Sequence, residues 1–251
     1  MTEHTLKGKN VLIAGGGKNL GGLVARQSAA AGANVAIHYN SDASRPDAED
    51  TLAAVQAEGV NGAIFQGDLT SPQNVAALFD EAEKTFGKID IAINTAGKVL
   101  RKPIVETTED EYDSMLDINA KAAYFFLKEA GRHLADDGKI ITVVTALLAA
   151  FTDGYSTYAG GKAPVEHFTR AASKEFADRG ISVNAVAPGP MDTPFFYGQE
   201  TPERVEFHKS QAMGNQLTQI EDIAPIIRFL ATEGWWITGQ TIFANGGYTT
   251  R

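Results

Sequence analysis

Tyr158 and Lys162 stand four residues apart in the run Tyr158-Ala159-Gly160-Gly161-Lys162. On a helix that spacing puts both side chains on one face. A lysine ammonium beside a phenol favours the phenolate and draws the phenol down from its ordinary pKa of ~10. A phenol so placed can protonate the alkoxide that forms as hydride reaches a carbonyl carbon. Tyr155 is the rival phenol, but Ala159 rather than a lysine stands at its fourth position. With nothing there to lower its pKa, Tyr155 is expected at the mouth of a substrate site.

A second cluster suits an anion. Ala14-Gly15-Gly16-Gly17-Lys18-Asn19-Leu20-Gly21-Gly22 follows the apolar run NVLIA (10–14) and precedes the helical pattern LVARQSAAAG. Strand, glycine turn and helix in that order aim backbone N–H groups and a helix N-terminus at a pyrophosphate. Glycine permits close backbone approach and positive φ, and Asn19 is the non-glycine type that best tolerates left-handed geometry. The next strand ends His38-Tyr39-Asn40-Ser41, with no carboxylate before Asp42. An NAD-specific site usually has Asp or Glu about 20 residues after the glycines, bonded to the ribose 2′-hydroxyl. Lys18, Asn40 and Ser41 can instead donate to a 2′-phosphate. NADP(H) is therefore the expected cofactor, lying against Tyr39.

Something must hold these groups. Short β-branched runs recur: NVLIA (10–14), NVAIHY (34–39), NGAIFQ (61–66), IDIAIN (89–94), GKIITVV (138–144) and ISVNAVA (181–187). They read as buried parallel strands. Between them lie stretches with apolar residues three and four apart, such as Val75, Leu78, Phe79, Ala82 and Phe86 after Ser71-Pro72. The polar stretch Ser41–Asp50, with Pro46 and its acidic residues, suits a helix start. The alternation predicts an α/β, Rossmann-like, doubly wound parallel sheet with helices on both faces. A closed eight-fold barrel would need more strands than six units plus a short terminal one near Gln240–Phe243. No linker or repeat interrupts residues 1–251, which read as one domain of about seven strands.

The remaining polar residues fall into a known order. Asp68-Leu69 follows the third strand, Asn94-Thr95-Ala96-Gly97 the fourth, and Asn119 lies in a long helix. Thr145 ends the fifth strand, and Pro188-Gly189 and Thr193 follow the sixth. With Tyr158 and Lys162, this series resembles the classical short-chain dehydrogenases/reductases over essentially the whole chain.

The resemblance implies a role for each residue. Thr145, thirteen residues before Tyr158, would replace the family's substrate-orienting serine with the same hydroxyl and an added methyl. Asn119 would join a proton relay to Lys162. Asp68 and Leu69 would meet the adenine, and Asn94, Ala96 and Gly97 would pack along the cofactor. Pro188, Gly189 and Met191 would shape the nicotinamide wall, and Thr193 would bond the carboxamide. Residues 190–216 resemble the variable substrate lid, with Phe195, Phe196, Tyr197 and Met213 as apolar cover, and Leu147 and Leu148 are expected in the pocket. Asn19 and Ala14 stand where the family usually has glycine and threonine. Pro164, two residues past Lys162, is expected to kink its helix at a cost of about 3 kcal/mol.

The resemblance is nearest to the 3-oxoacyl-[acyl-carrier-protein] reductases. Those enzymes dock an acidic carrier protein, whereas Asp136-Asp137 here is balanced only in part by Arg132 and Arg179. The expected activity is accordingly a broader carbonyl reductase acting on ketones, keto esters or aldehydes. The carrier-protein reductase is the alternative, and a non-catalytic NADP-binding regulator is a third reading that intact Tyr158, Lys162 and Asn119 oppose. Family members are usually tetramers, and suitable apolar helices surround Tyr124, Phe125, Phe126 and Leu127, and Phe168, Ala171, Ala172 and Phe176. Trp235-Trp236 and the edge from Gln240 to Tyr248 complete the case for a homotetramer.

Composition removes other classes. Net charge is −9, with 22 basic and 31 acidic side chains, which disfavours nucleic acid or an anionic membrane as partner. No cysteine is present, so disulfides, thiolate metal sites and cysteine nucleophiles are excluded. His4, His38, His133, His167 and His208 have no metal-binding spacing. MTEHTLKGKN lacks a basic-then-apolar leader pattern, and the longest apolar stretch, 143–151, is far below the ~20 residues that span a bilayer. A cytoplasmic enzyme with a small carbonyl or alcohol substrate is the expectation.

Overall fold

The computed structural model describes residues 4–250. Its first half alternates β1 (Asn10–Ala14), α1 (Asn19–Ala30), β2 (Asn34–Tyr39), α2 (Arg45–Ala57), β3 (Gly62–Gln66), α3 (Pro72–Phe86) and β4 (Ile89–Asn94). The second half holds α4 (Glu109–Leu116), α5 (Ala122–His133), β5 (Leu134–Val143), α6 (Ser156–Glu175) and β6 (Ser182–Pro188). Short α7 (Pro194–Tyr197) and α8 (Pro202–Ser210) lead to α9 (Ile220–Ala231) and β7 (Thr241–Ala244). The strands form one parallel sheet in the order β3-β2-β1-β4-β5-β6-β7. The doubly wound reading holds, and the strand order reverses between β1 and β4, where such sheets open a ligand crevice.

Strand alternation divides the core. Val11, Ile13, Ile37, Ile93 and Ile141 face one way, onto Val24 of α1 and Ile223, Ile227 and Leu230 of α9. Leu12, Ala14, Ala36, Ala92 and Ile140 face the other, onto Phe79 of α3 and Phe126 of α5. Buried on both sides, the strands read as continuous apolar runs, as parallel strands do. Boundaries shift by a residue or two, and β5 starts earlier than its apolar run because Leu134 already pairs with Ile89.

Two local expectations meet different outcomes. Ser71 caps α3 by accepting from the Asn74 N–H, as its position before Pro72 suggested. Pro164 does not break α6, which continues from Ser156 to Glu175. The Gly160 carbonyl that Pro164 leaves without a helical N–H lies on an exposed turn, where solvent can reach it, and nothing crowds Gly160.

Candidate active site

The glycine turn between β1 and α1 is tied down by residues of β2, of α2 and of the segment after β4. Gly15 has φ +74° and Asn19 φ +47°, the left-handed geometry their residue types permit. A Cβ on Gly21 would drive into the Gly15 carbonyl, so that position admits only glycine. Thr95 donates its hydroxyl to the Ala14 carbonyl at 2.8 Å, and Thr51 donates to the Gly17 carbonyl at 2.8 Å. His38 holds the remaining side: its carbonyl accepts from Gly16 N–H at 3.0 Å and its Nδ1 from Gly15 N–H at 3.1 Å. That fixes the proton on Nε2, which donates to the Gly67 carbonyl at 2.7 Å. Burial pushes the His38 pKa below the ordinary histidine range, against the opposing pull of the Gly67 bond and of Asp68. No acidic residue sits in the first turn of α1, leaving its N-terminus open to an anion.

From this turn a cleft of about 600 Å³ runs along the C-terminal ends of β1, β2 and β4. Gly15, Gly17, Lys18, Asn19, Leu20 and Gly21 form its floor, with Tyr39, Asn40, Asp68 and Leu69 at one end. Ala96, Gly97, Tyr158, Lys162, Met191 and Thr193 line the other end. Four expected cofactor residues are not on this wall. Ser41 instead caps the turn before α2 with its N–H on Ser44 Oγ, and Ser44 lines the cleft. Asn94 accepts from Ala96 N–H at 3.0 Å and so shapes the segment from behind. Pro188 and Gly189 border the adjoining cavity. Sequence reading also missed Asp47, a cleft-lining carboxylate 2.7 Å from Lys18 Nζ. Its place in the first turn of α2 was the available signal.

At the far end of the cleft Lys162, Asn119 and Tyr158, the residues expected to carry the chemistry, converge. Lys162 is buried, and its Nζ donates to the Val143 carbonyl at 3.0 Å and the Ala96 carbonyl at 3.5 Å. Asn119 lies in a π-helical turn, Asp117–Lys121, inserted between α4 and α5, rather than in a regular helix. Such turns often mark functional sites. Asn119 Nδ2 donates to the carbonyls of Lys98 (2.9 Å) and Met115 (3.0 Å). A Cβ on Gly97 would stand 2.9 Å from Asn119 Oδ1 and 3.1 Å from Lys162 Nζ, so the missing side chain lets these three meet.

The expected depression of the Tyr158 pKa is not what the site shows. Burial pushes Tyr158 up to about 12, opposed by a hydrogen bond from Thr145. Lys162 is itself drawn down by burial to about 8. The Lys162 ammonium is turned to the carbonyls of Val143 and Ala96, and desolvation is the leading influence on both groups. Tyr158 therefore stands protonated at neutral pH, the form a proton donor needs. Tyr155 is raised further, by burial and by its bond to Glu200.

Beside Tyr158 a narrower cavity of about 80 Å³ opens, lined by Thr145, Leu147, Tyr155, Phe195 and Phe196. The Tyr158 ring lies 6.2 Å from the Tyr155 ring and 6.2 Å from Phe195, both edge-on. Other apolar residues expected here go elsewhere. Leu148 packs against the Val144 and Val165 cluster, Met213 is largely exposed, and Tyr197 turns its hydroxyl to Asp192 at 2.7 Å. Glu200, His208 and Tyr248 line the cavity in their place. Sequence reading gave no sign of them, because Glu200 precedes α8, His208 lies within it and Tyr248 is in the C-terminal turn. Among the described residues no cluster has the composition of a metal site, and no helix is long and apolar enough to cross a membrane.

Comparison with known proteins agrees with this geometry. A family model described as enoyl-(acyl carrier protein) reductase matches residues 15–249. A solved dehydrogenase structure from Burkholderia cenocepacia, with bound NADP, superposes with TM-score 0.98 at 61% identity, covering 100% of this chain and 97% of that one. A hydroxynaphthalene reductase-like protein of Metarhizium brunneum is 33% identical, covering 99% of this chain and 98% of its own. An NADPH-dependent aldehyde reductase-like chloroplastic protein of Arabidopsis thaliana is 32% identical, over 97% of this chain and 95% of its own. Likeness of this extent, on a chain that gathers Asn119, Tyr158 and Lys162 beside a glycine turn, identifies an oxidoreductase belonging to the classical short-chain dehydrogenase/reductase family.

Proposed function

We propose that the protein is an NADPH-dependent carbonyl reductase acting on a small ketone, keto ester or aldehyde, or in reverse on the alcohol. One observation carries the reading. Val144, Tyr158, Met191, Thr193 and Phe195 border both the long cleft and the narrow apolar cavity, so Tyr158 stands where the two spaces meet. The cleft suits a dinucleotide, with its pyrophosphate on the α1 N-terminus and its 2′-phosphate near Lys18 and Asn40. When bound, NADPH supplies the hydride. Tyr158 then gives its proton to the carbonyl oxygen as hydride reaches the carbon, and Thr145 Oγ orients that oxygen. Lys162 and Asn119 hold the positive charge and the polar path behind Tyr158. Phe195 and Phe196 exclude water from the reacting atoms.

The acyl-carrier-protein alternative needs free cations around the mouth. Arg101 and Arg204 are instead both paired to Asp153, at 2.8 and 2.6 Å, and Lys102 is paired to Glu111 at 2.8 Å. A regulator that only binds NADP would have no need of the assembled Tyr158, Lys162 and Asn119. Loss of NADPH absorbance with a panel of ketones, keto esters and β-ketoacyl thioesters tests these readings together. Turnover of free ketones supports the proposal, and turnover confined to carrier-linked thioesters overturns it. We infer further that the enzyme is a homotetramer. Tyr124, packed edge-on to Phe125 and Phe168, and the exposed Trp235-Trp236 pair offer apolar surface that a second copy can cover.

A further inference from the structure

Four polar residues border the substrate cavity without taking part in the proton transfer: Tyr155, Glu200, His208 and Tyr248. The Glu200 side chain is wholly buried. Its Oε1 accepts from the Tyr155 hydroxyl at 2.5 Å and from His208 Nε2 at 3.1 Å. Its Oε2 accepts from Arg204 Nε at 3.0 Å, with Arg101 Nε 3.7 Å away. The Tyr248 hydroxyl lies 2.9 Å from His208 Nδ1.

Counting protons fixes the direction of each bond. A carboxylate has acceptors only, so the Tyr155 O–H and the His208 Nε2–H both point at Glu200. Burial holds His208 below the ordinary histidine range although Glu200 pulls the other way, and Arg204 and Arg101 add to the lowering. The imidazole is therefore neutral at pH 7, and with its proton on Nε2 its Nδ1 can only accept. The Tyr248 hydroxyl must then donate to Nδ1. Each proton that Tyr155, His208 and Tyr248 carry on these groups is committed among the four residues, and the nearby Arg101 Nε, which lacks a hydrogen-bond partner, does not border the cavity. What remains open is the lone pairs of two phenolic oxygens, and burial raises both phenols, so neither ionises.

We propose that this wall selects a substrate carrying a hydrogen-bond donor. The reducible carbonyl lies at Tyr158 and Thr145, and a hydroxyl or neutral N–H elsewhere on the molecule meets the oxygens of Tyr155 and Tyr248. The inference rests on the carbonyl-reductase reading above. An ether, second carbonyl or carboxylate at that end would face acceptors and forfeit its hydration without replacement. The guanidiniums that could offset such a group do not border the cavity: Arg101 is paired with Asp153, and Arg204 with Asp153 and Glu200.

The test uses matched ketones with NADPH at pH 7: acetophenone, its hydroxy and methoxy derivatives at each ring position, and 4-hydroxy-2-butanone against 2-butanone. At least one hydroxy ketone should exceed both its methoxy and its unsubstituted partner in kcat/KM by about tenfold, equivalent to ~1.4 kcal/mol. In Tyr248→Phe and Tyr155→Phe that ratio should fall toward one. Methoxy ketones that match or beat hydroxy ketones at every position overturn the wall while leaving reduction itself in place. No turnover of any ketone overturns the reductase reading and the wall with it. A second measurement needs no substrate: the ¹⁵N shifts of His208 at pH 7 should report a proton on Nε2 and none on Nδ1. A proton on Nδ1 overturns the proposal whatever the kinetics.

Discussion

His38 ties the cofactor turn to the loop after β3, and its bonds require the neutral ring. Protonation would turn Nδ1 from an acceptor into a donor aimed at the Gly15 N–H, 3.1 Å away. Since the folded pKa lies below the ordinary histidine value of 6.5, the unfolded chain takes up the proton first as pH falls. The contribution is complete well above pH 6.5 and is lost as pH drops below it toward the folded value. Over that window one such histidine costs about 1.4 kcal/mol per pH unit. His208 is lowered too and acts over the same range. The lowered carboxylates Glu83 and Asp153 act only below the ordinary carboxylate range, so they leave this window clear. Urea unfolding of the protein without cofactor at pH 7.5 and 5.5 should therefore show a loss of up to about 2.8 kcal/mol for the two histidines together. His38→Asn keeps an acceptor for Gly15 but leaves the Gly67 carbonyl unpaired, at about 1 kcal/mol. The variant should be the weaker protein at pH 7.5 and lose only about half as much on acidification, so the two stabilities converge at pH 5.5. Parallel losses in the two proteins would refute the argument that His38 must stay neutral.

Three further outcomes follow from the site. Tyr158→Phe should lower turnover by about a hundredfold or more with NADPH affinity, read by fluorescence, nearly unchanged; wild-type turnover would remove Tyr158 from the proton transfer. NADPH should exceed NADH in kcat/KM by at least about tenfold, and Lys18→Ala should erode that margin; equal efficiency with NADH would reject the placing of the 2′-phosphate. In light scattering the protein should run near about 107 kDa, four times its 26.8 kDa chain, and a dilution-independent mass of one chain would reject the tetramer.

Sequence alone was most informative where a residue's type is forced by backbone geometry or by periodicity. Parallel strands buried on both faces must be apolar throughout, so their runs were visible, and the spacing between them left only a doubly wound sheet. Gly15 and Asn19 were legible because positive φ restricts the residue types that fit. Tyr158 and Lys162 were legible because a helix turns fixed spacing into a shared face. The electrostatics between them were not. Spacing says that two side chains are neighbours, but whether an ammonium faces a phenol or the carbonyls of Val143 and Ala96 depends on strands distant in sequence.

The same distinction explains the polar groups that surround the site without forming a sequence motif. His38 lies near the end of a strand whose Val35, Ala36, Ile37 and Tyr39 are core, and its polar role depends on Gly15 and Gly67, supplied by two other turns. Glu200, His208 and Tyr248 belong to α8, its approach and the C-terminal turn, and Tyr155 joins them from the cap of α6. None has a periodic partner, so no local pattern could announce them. Their meeting is a product of the packing around α7 and α8, where Phe196, Val205 and Leu217 form a small core of their own. A buried carboxylate there is stable only with its donors in place, since burying it unpaired would be costly. The constraint also runs outward: because Glu200 accepts from Tyr155 and His208, the fold of the segment around α8 sets the hydrogen-bonding face of the cavity. In this protein the chemistry near Tyr158 is written in spacing, and the choice of substrate is written in tertiary contacts.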